Sequence, residues 1–242
     1  MSIEKLRSII KESDNIVFFG GAGVSTESNI PDFRSSKGIF NIFDNLEYPP
    51  EKILSYSFFK KHPDYFYDFY KNNLIYEDAK PNDAHIALAE LEKRGKLKAI
   101  ITQNIDGLHQ KAGSKNVLEL HGSLYRNYCM KCYKAFDIDY VLEAEGVPLC
   151  DECNGIVRPD VVMYEEGLDM NILRRSIEYI QKADVLIVGG TSLTVYPAAG
   201  LIDYYIGNKL ILINKTKTPY DSKAALVFND SIGKVLKQVV FY

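Results

Sequence analysis

The 242 residues, 46% hydrophobic and 25% charged, suffice for one large domain or for a domain with a smaller insert, and they hold no apolar run long enough to span a bilayer. A net charge of −3 leaves no basic footprint for nucleic acid and favours basic over acidic protein partners. The four cysteines stand in two close pairs without a secretion signal, which suggests metal rather than disulfides and a cytoplasmic location.

Ile3, Leu6, Ile9 and Ile10 recur at helical spacing behind Ser2, an N-cap residue, with charges spread among them. This reads as an amphipathic helix and not as a signal peptide. Residues 16–19 are a short buried strand, and Gly20, Gly21 and Gly23 follow it directly. Glycines let backbone N–H groups approach a pyrophosphate; on the glycines alone, a tight turn without a ligand reads equally well. Gly21-Ala22-Gly23-Val24-Ser25-Thr26 lacks the third glycine of a dehydrogenase fingerprint. Nor does a strand followed by an acidic residue come about 20 residues later, so hydride transfer is disfavoured. In Ile30-Pro31-Asp32-Phe33-Arg34-Ser35, proline keeps polar and aromatic groups out of a helix, as in a ligand loop.

Residues 56–76 are crowded with aromatics (Phe58, Phe59, Tyr65, Phe66, Tyr67, Phe69, Tyr70) and interrupted by Pro63, which predicts two helices around a packed aromatic core. Asn82 then caps a helix carrying Ile86, Leu88, Ala89 and Leu91, ended by Gly95. Residues 98–102 form a second buried strand, with Gln103-Asn104-Ile105-Asp106-Gly107-Leu108-His109 at its carboxyl end, where open α/β sheets bind ligands. Helix capping by Asn104 or Asp106 is the alternative. A third strand at 117–120 leads into His121-Gly122.

The pairs Cys129/Cys132 and Cys150/Cys153 are separated by 17 residues, the spacing of a four-sulfur zinc site. With every ligand position taken by sulfur, the zinc would be structural; a thioredoxin-like redox pair is the less favoured reading. Further strands are expected at 161–164, 184–188 and 209–213, helices near 171–181 and 197–206, and a last helix over 231–240. The alternation predicts an α/β fold: a doubly wound parallel Rossmann-like sheet, with the cysteine module inserted into it. That zinc ribbon, with a helical insertion at 44–79, would form a smaller domain over the sheet's ligand edge.

Gly-Ala-Gly-x-Ser at 21–25 and Ile-Pro-Asp-Phe-Arg at 30–34 resemble the sirtuins, the NAD-dependent protein lysine deacylases. Thr102-Gln-Asn-Ile-Asp-Gly-Leu-His109, His121-Gly122, the four cysteines, Arg158-Pro-Asp-Val-Val162 and Gly190-Thr-Ser-Leu193 extend the resemblance over nearly the whole chain. It implies a deacetylase that cleaves NAD to nicotinamide and moves the acyl group from lysine to ADP-ribose. Gly21, Ala22, Gly23 and Thr26 would hold the cofactor, and Asp32, Phe33 and Arg34 would close over it. Ile105 and Asp106 would line the nicotinamide pocket, and Gln103 and Asn104 would meet the ribose. Thr191, Ser192, Asn214 and Ile232 would serve the phosphates and adenosine.

By the same resemblance, Val161, Val162 and Tyr164 would bind acetylated-lysine protein or peptide as an extended strand, and one structural Zn2+ would sit on the cysteines. His121, with Asn104, would be catalytic, as the general base for a ribose hydroxyl, since imidazole titrates near neutral pH. His62, His85 and His109 are read as structural or surface residues. The expected division is 1–31, 80–121 and 159–242 for the NAD-binding domain, 32–79 for the cofactor loop and helical module, and 122–158 for the zinc module. No nucleic acid and no membrane are expected as partners, and a cytoplasmic monomer is. A mono-ADP-ribosyltransferase using the same site is the alternative; a non-catalytic sensor or binding module is disfavoured by His121 beside an intact Gln103–Asp106 run.

Three departures from the family pattern stand out. Asn29 replaces a glycine, Tyr164-Glu165-Glu166 replaces Phe-Gly-Glu, and Met163 stands where an indole is often found. Asn tolerates the left-handed region, so the first turn is expected to survive. The loss of glycine at 165 puts the details of substrate alignment in question. Glu165, Glu166 and Asp169 suggest a preference for basic flanks. The Tyr-x-x-Arg pair of sirtuins that accept acidic acyl groups is matched here by Tyr70-Lys71-Asn72-Asn73, with no arginine.

Overall fold

The computed structural model describes residues 2–43 and 45–242. Met1 and Asp44, where the expected larger domain and helical stretch begin, lie outside the described residues. The strands are β1 (Ile16–Gly20), β2 (Leu97–Thr102), β3 (Val117–Glu119), β4 (Gly122–Cys129), β5 (Ala135–Phe136), β6 (Val157–Val161), β7 (Val185–Gly189), β8 (Leu210–Ile213) and β9 (Leu226–Phe228). Six of them form one parallel sheet in the order β3-β2-β1-β7-β8-β9.

β1, β7 and β8 are uninterrupted apolar runs because both faces of this sheet are covered. Phe18, Ile100, Ile187 and Ile211 pack with Leu6, Ile10, Leu88, Leu91 and Leu236 on one side. Val17, Phe19, Ile101, Val188 and Leu212 pack with Ile180, Leu201 and Ile202 on the other. The chain leaves β1 toward β2 and β3, then returns to build β7, β8 and β9 on β1's other edge. The loops leaving β1 and β7 therefore diverge, and a crevice opens at their carboxyl ends.

The smaller sheet is antiparallel, in the order β5-β4-β6. Against it lies a third apolar cluster that includes Ile53, Phe59, Phe66, Tyr67, Tyr70, Leu124, Val141, Val157 and Met163. Its rings come from helices Tyr56–Lys61 and Pro63–Asn73, split at Pro63 as expected. Phe66 stacks on Tyr70 with centroids 5.5 Å apart, and Phe59 meets Phe66 edge-on at 4.9 Å. Asn82 caps helix Asp83–Lys93 by accepting from Ala84 N at 2.9 Å, and Gly95 follows with φ 71°. No helix among the described residues is long and apolar enough to cross a membrane.

The strand expected at 161–164 does not join the parallel sheet. Its first residue ends β6, which pairs antiparallel with β4, and Tyr164 makes an isolated bridge to Ser55. The chain comes out of the second cysteine pair already paired with β4, since Cys129 lies opposite Val157. The helix expected near 197–206 is a 3₁₀ helix, Ala198–Tyr204, with Gly200 inside it. β9 escapes the sequence reading because three residues are too few to show a period.

Candidate active site

The crevice is built on close backbone approach. Gly23 N donates to Gly190 O at 2.7 Å, and a Cβ on Gly23 would stand 2.8 Å from Gly190 Cα. The turns Ala22–Val24 and Thr26–Ser28 follow, with Thr26 Oγ1 donating to Gly23 O at 3.0 Å. Asn29 takes the left-handed conformation, φ 63°, that its family counterpart would occupy as glycine. Glu27 ties this turn to the last helix, Ile232–Phe241, by accepting from Gly233 N at 2.9 Å.

Across the crevice, Gln103 Nε2 donates to Thr191 Oγ1 at 3.1 Å, and Thr191 N donates to Asn214 Oδ1 at 2.9 Å. Asn214 Nδ2 is buried without a partner, a donor left over for a ligand. Ser192 is exposed and shares a hydrogen bond with Thr194 at 2.7 Å, while Ile232 is buried at the head of the last helix.

The run after β2 is organised by Ser25. Asn104 Nδ2 donates to Ser25 Oγ at 3.0 Å, and Ser25 Oγ donates to Asp106 Oδ2 at 2.6 Å. The other Asp106 oxygen accepts from Leu108 N at 2.9 Å. The sequence reading gave Ser25 no role, although the Gly-Ala-Gly-x-Ser motif contains it. Ile105 O accepts from Leu124 N at 3.0 Å, which joins this run to the small sheet. Asp32 Oδ1 accepts from Arg34 N at 3.1 Å and Ser35 N at 2.8 Å, so it shapes the loop. Phe33 packs on Phe40 at 5.6 Å, and Arg34 lies over the same ring at 5.4 Å.

His121 Nδ1 lies 3.0 Å from Gln103 O. A carbonyl only accepts, so Nδ1 carries the proton and Nε2 is the basic nitrogen. Burial lowers the imidazole below its ordinary range, with the bond to Gln103 opposing that shift. The backbone of His121 is also engaged, its carbonyl accepting from Val162 N at 3.0 Å. The substrate-strand candidates Val161 and Val162 thus lie beside His121. Tyr164 is exposed, with its hydroxyl 3.5 Å from Arg34 Nη2.

Glu165 adopts φ 77°, the conformation a glycine would give at this position. That strain of about 1 kcal/mol is offset by its carboxylate, which accepts from Ser57 N and Ser57 Oγ, both at 2.9 Å. Glu166 is paired with Arg158, and Asp169 accepts from Asn171 N and Ile172 N. Of the three acids expected to favour basic flanks, only Glu166 is paired with a cation, while Glu165 and Asp169 are exposed and keep their charge.

Of the other histidines, His62 is exposed, while His85 and His109 are buried with ring centroids 4.8 Å apart. His85 Nδ1 accepts from Asn82 N at 3.2 Å, and its Nε2 and both nitrogens of His109 have no partner. Burial pushes His85 down to about 4 and His109 well below 6.5. Unfolding lets these rings take up protons that the folded protein refuses. Stability is therefore full above pH ~6.5 and declines as the pH falls below it, by roughly 2 kcal/mol at pH ~5 for His85, with His109 acting in the same direction. In urea titrations at pH 7.5 and 5, His109→Leu is expected to lessen that loss; an unchanged pH dependence would contradict this origin.

The four thiols meet at one point, with all Sγ atoms within 4.8 Å of one another. Cys129 and Cys153 are 3.4 Å apart and Cys132 and Cys150 3.6 Å, too far for disulfides and near the ~3.8 Å edge of a tetrahedron with Zn–S bonds of about 2.3 Å. Lys131 N points at Cys129 Sγ from 3.3 Å. The residue after each pair, Tyr133 and Asn154, is left-handed, with φ 62° and 57°. The donor set and its spacing fit a structural zinc with no open position.

The Sir2 family model matches residues 21–197. The chain is 63% identical over 239 residues to an NAD-dependent protein deacetylase of Clostridium acetobutylicum, covering 98% of each chain. It is 64% identical over 239 residues to one of Clostridium perfringens, again covering 98% of each. Among solved structures, Sir2 with p53 peptide and NAD+ superposes with a TM-score of 0.88 at 40% identity, over 99% of this chain and 97% of the other. A Sir2 complex with deacetylated p53 peptide and 3′-O-acetyl ADP ribose gives 0.89 at 40% identity, with the same coverage.

Proposed function

This chain belongs to the Sir2 family and is an NAD-dependent protein deacetylase, and we propose that His121 is its general base, acting in a site assembled at the carboxyl ends of β1, β2 and β7. NAD supplies an ADP-ribose acceptor already joined to a good leaving group, nicotinamide. The acyl oxygen replaces nicotinamide at C1′, and a ribose hydroxyl then gives up its proton and attacks the acyl carbon. One water replaces the lysine amine there, so the peptide leaves with a free lysine and the acyl group ends on the ribose. What remains for the protein is to orient the two substrates, keep water out until the acyl oxygen has reached C1′, and take the proton of the ribose hydroxyl.

Asn104 and Asp106, fixed by Ser25, orient the nicotinamide side, while Gln103 meets the ribose. The glycine loop, Thr191, Ser192, Asn214 and the helix starting at Ile232 hold the phosphates and adenosine. Asp32, Phe33 and Arg34 close over them. The acylated peptide lies along Val161, Val162 and Tyr164, and Cys129, Cys132, Cys150 and Cys153 hold a structural zinc that takes no part in the chemistry. We take the larger domain as 1–31, 80–121 and 159–242, and the protein as a cytoplasmic monomer. The observation that carries the reading is the tautomer of His121: the bond from Nδ1 to Gln103 O leaves Nε2 free to accept a proton.

Neutral acyl groups are the expected substrates. Asn73 Nδ2 donates to Phe69 O at 2.9 Å, and Lys71 Nζ donates to Ala144 O at 2.6 Å and Gly146 O at 3.0 Å. Neither side chain of this helix offers a cation to a carboxylate, which would lose its hydration for little in return. On one peptide carrying acetyl-, butyryl- or succinyl-lysine, succinyl is expected to give the lowest kcat/KM, with nicotinamide release depending on the acylated peptide. Succinyl at or above acetyl would refute the selectivity, and NAD loss without acyl-lysine would favour ADP-ribosyl transfer to a side chain.

A further inference from the structure

Arg158, 6% exposed, is absent from the roles assigned above. Its Nη1 and Nη2 donate to the two carboxylate oxygens of Glu166, each at 2.8 Å. Nη2 also donates to Val161 O at 3.0 Å, and Nε donates to Pro159 O at 3.2 Å. Glu166 Oε2 accepts in turn from Met163 N at 2.9 Å. The guanidinium lies 5.6 Å from the Tyr56 ring, 5.9 Å from Phe59 and 5.7 Å from Tyr128. Two of these rings come from the helix at 56–61 and the third from β4, next to Cys129.

A buried ion pair is by itself weak evidence for stability. This one differs in where its hydrogen bonds end: Val161 O and Met163 N belong to the strand proposed to take the peptide. The same strand is fastened to the catalytic histidine, since Val162 N donates to His121 O at 3.0 Å. At its far end Tyr164 N donates to Leu54 O, and Tyr56 N donates to Tyr164 O, both at 3.0 Å. Without the Arg158–Glu166 fork, residues 161–163 keep their tie to His121 but lose what holds the turn behind it.

We propose that Arg158 and Glu166 are positioning residues, which set the Val161–Val162 edge against His121 and so govern affinity for the acyl-lysine peptide without touching the nucleotide. The inference rests on the reading that the peptide adds as a strand along this edge. A lysine cannot replace the planar fork, because it lacks the parallel donors that grip both carboxylate oxygens.

The test uses full-length Arg158→Lys and, as the milder change, Glu166→Gln, each compared with wild type. Peptide affinity is read by anisotropy of a labelled acetyl-lysine peptide, ADP-ribose affinity by calorimetry, and the fold by melting temperature. Each variant is expected to bind peptide roughly tenfold or more weakly and ADP-ribose within about twofold of wild type. Peptide binding as tight as wild type, or both ligands weakened alike, would overturn the proposal; if Arg158→Lys does not fold, Glu166→Gln decides it by the same criteria. Hydrogen exchange on wild type separates the two readings. Peptide-induced protection of residues 161–164 is expected, and its absence would remove the strand reading and this inference with it.

Discussion

Replacing His121 with alanine is expected to lower kcat by roughly two to four orders of magnitude while ADP-ribose binding stays close to wild type. The reason lies in the division of the ring's two nitrogens. Nδ1 is spent on Gln103 O, which fixes the ring and its tautomer, and Nε2 is the remaining base. Asn104, Asp106, Thr191 and Asn214 bond to one another, to Ser25, to Thr102, to the Gln103 side chain or to backbone and not to the imidazole, so its removal leaves that network standing. The pH profile carries a second signature. A general base works deprotonated, and burial lowers this imidazole below its ordinary 6.5. The rate should therefore stay level down to pH ~6.5 and fall only below it; a decline that begins above pH 7, or a His121→Ala enzyme within about tenfold of wild type, would remove His121 from the role.

Loss of the metal is the second large effect. Cys129 and Cys150 are buried in the same apolar cluster as Phe59, Tyr67 and Tyr70. A structural zinc binds with an apparent free energy of about 10–16 kcal/mol near pH 7, comparable to the whole stability of a typical domain. Cys129→Ser also forfeits the thiolate toward which Lys131 N points. Zinc is expected to fall from one per chain to near none, the melting temperature to drop steeply, and the segment at 122–158 to become protease-sensitive. Zinc loss without a change in melting temperature would show that the metal does not hold this part of the fold.

The parallel sheet could be read from the sequence because its strands are buried on both faces. Runs such as Ile16-Val17-Phe18-Phe19 or Leu210-Ile211-Leu212-Ile213 admit little else. The zinc site was legible for another reason: cysteine spacing is itself the ligand geometry. What escaped was pairing between segments far apart in sequence. Val157–Val161 has the same β-forming residues whether it joins the large sheet or the small one, and only its pairing with β4 decides. The partners of Glu165 and Glu166 were hidden for the same reason, since Ser57 and Arg158 are brought to them by tertiary structure. Ser25 went unassigned because a serine between valine and threonine has many uses, and its bonds to Asn104 and Asp106 bring together residues 79 and 81 positions away.

The fate of the acetyl group distinguishes deacetylation by transfer to NAD most directly. Mass spectrometry after one incubation of the enzyme with NAD and an acetyl-lysine peptide should find nicotinamide, deacetylated peptide and O-acetyl-ADP-ribose in equal amounts. Free acetate with NAD intact, or peptide or enzyme heavier by an ADP-ribosyl group with the acetyl group still in place, would contradict it.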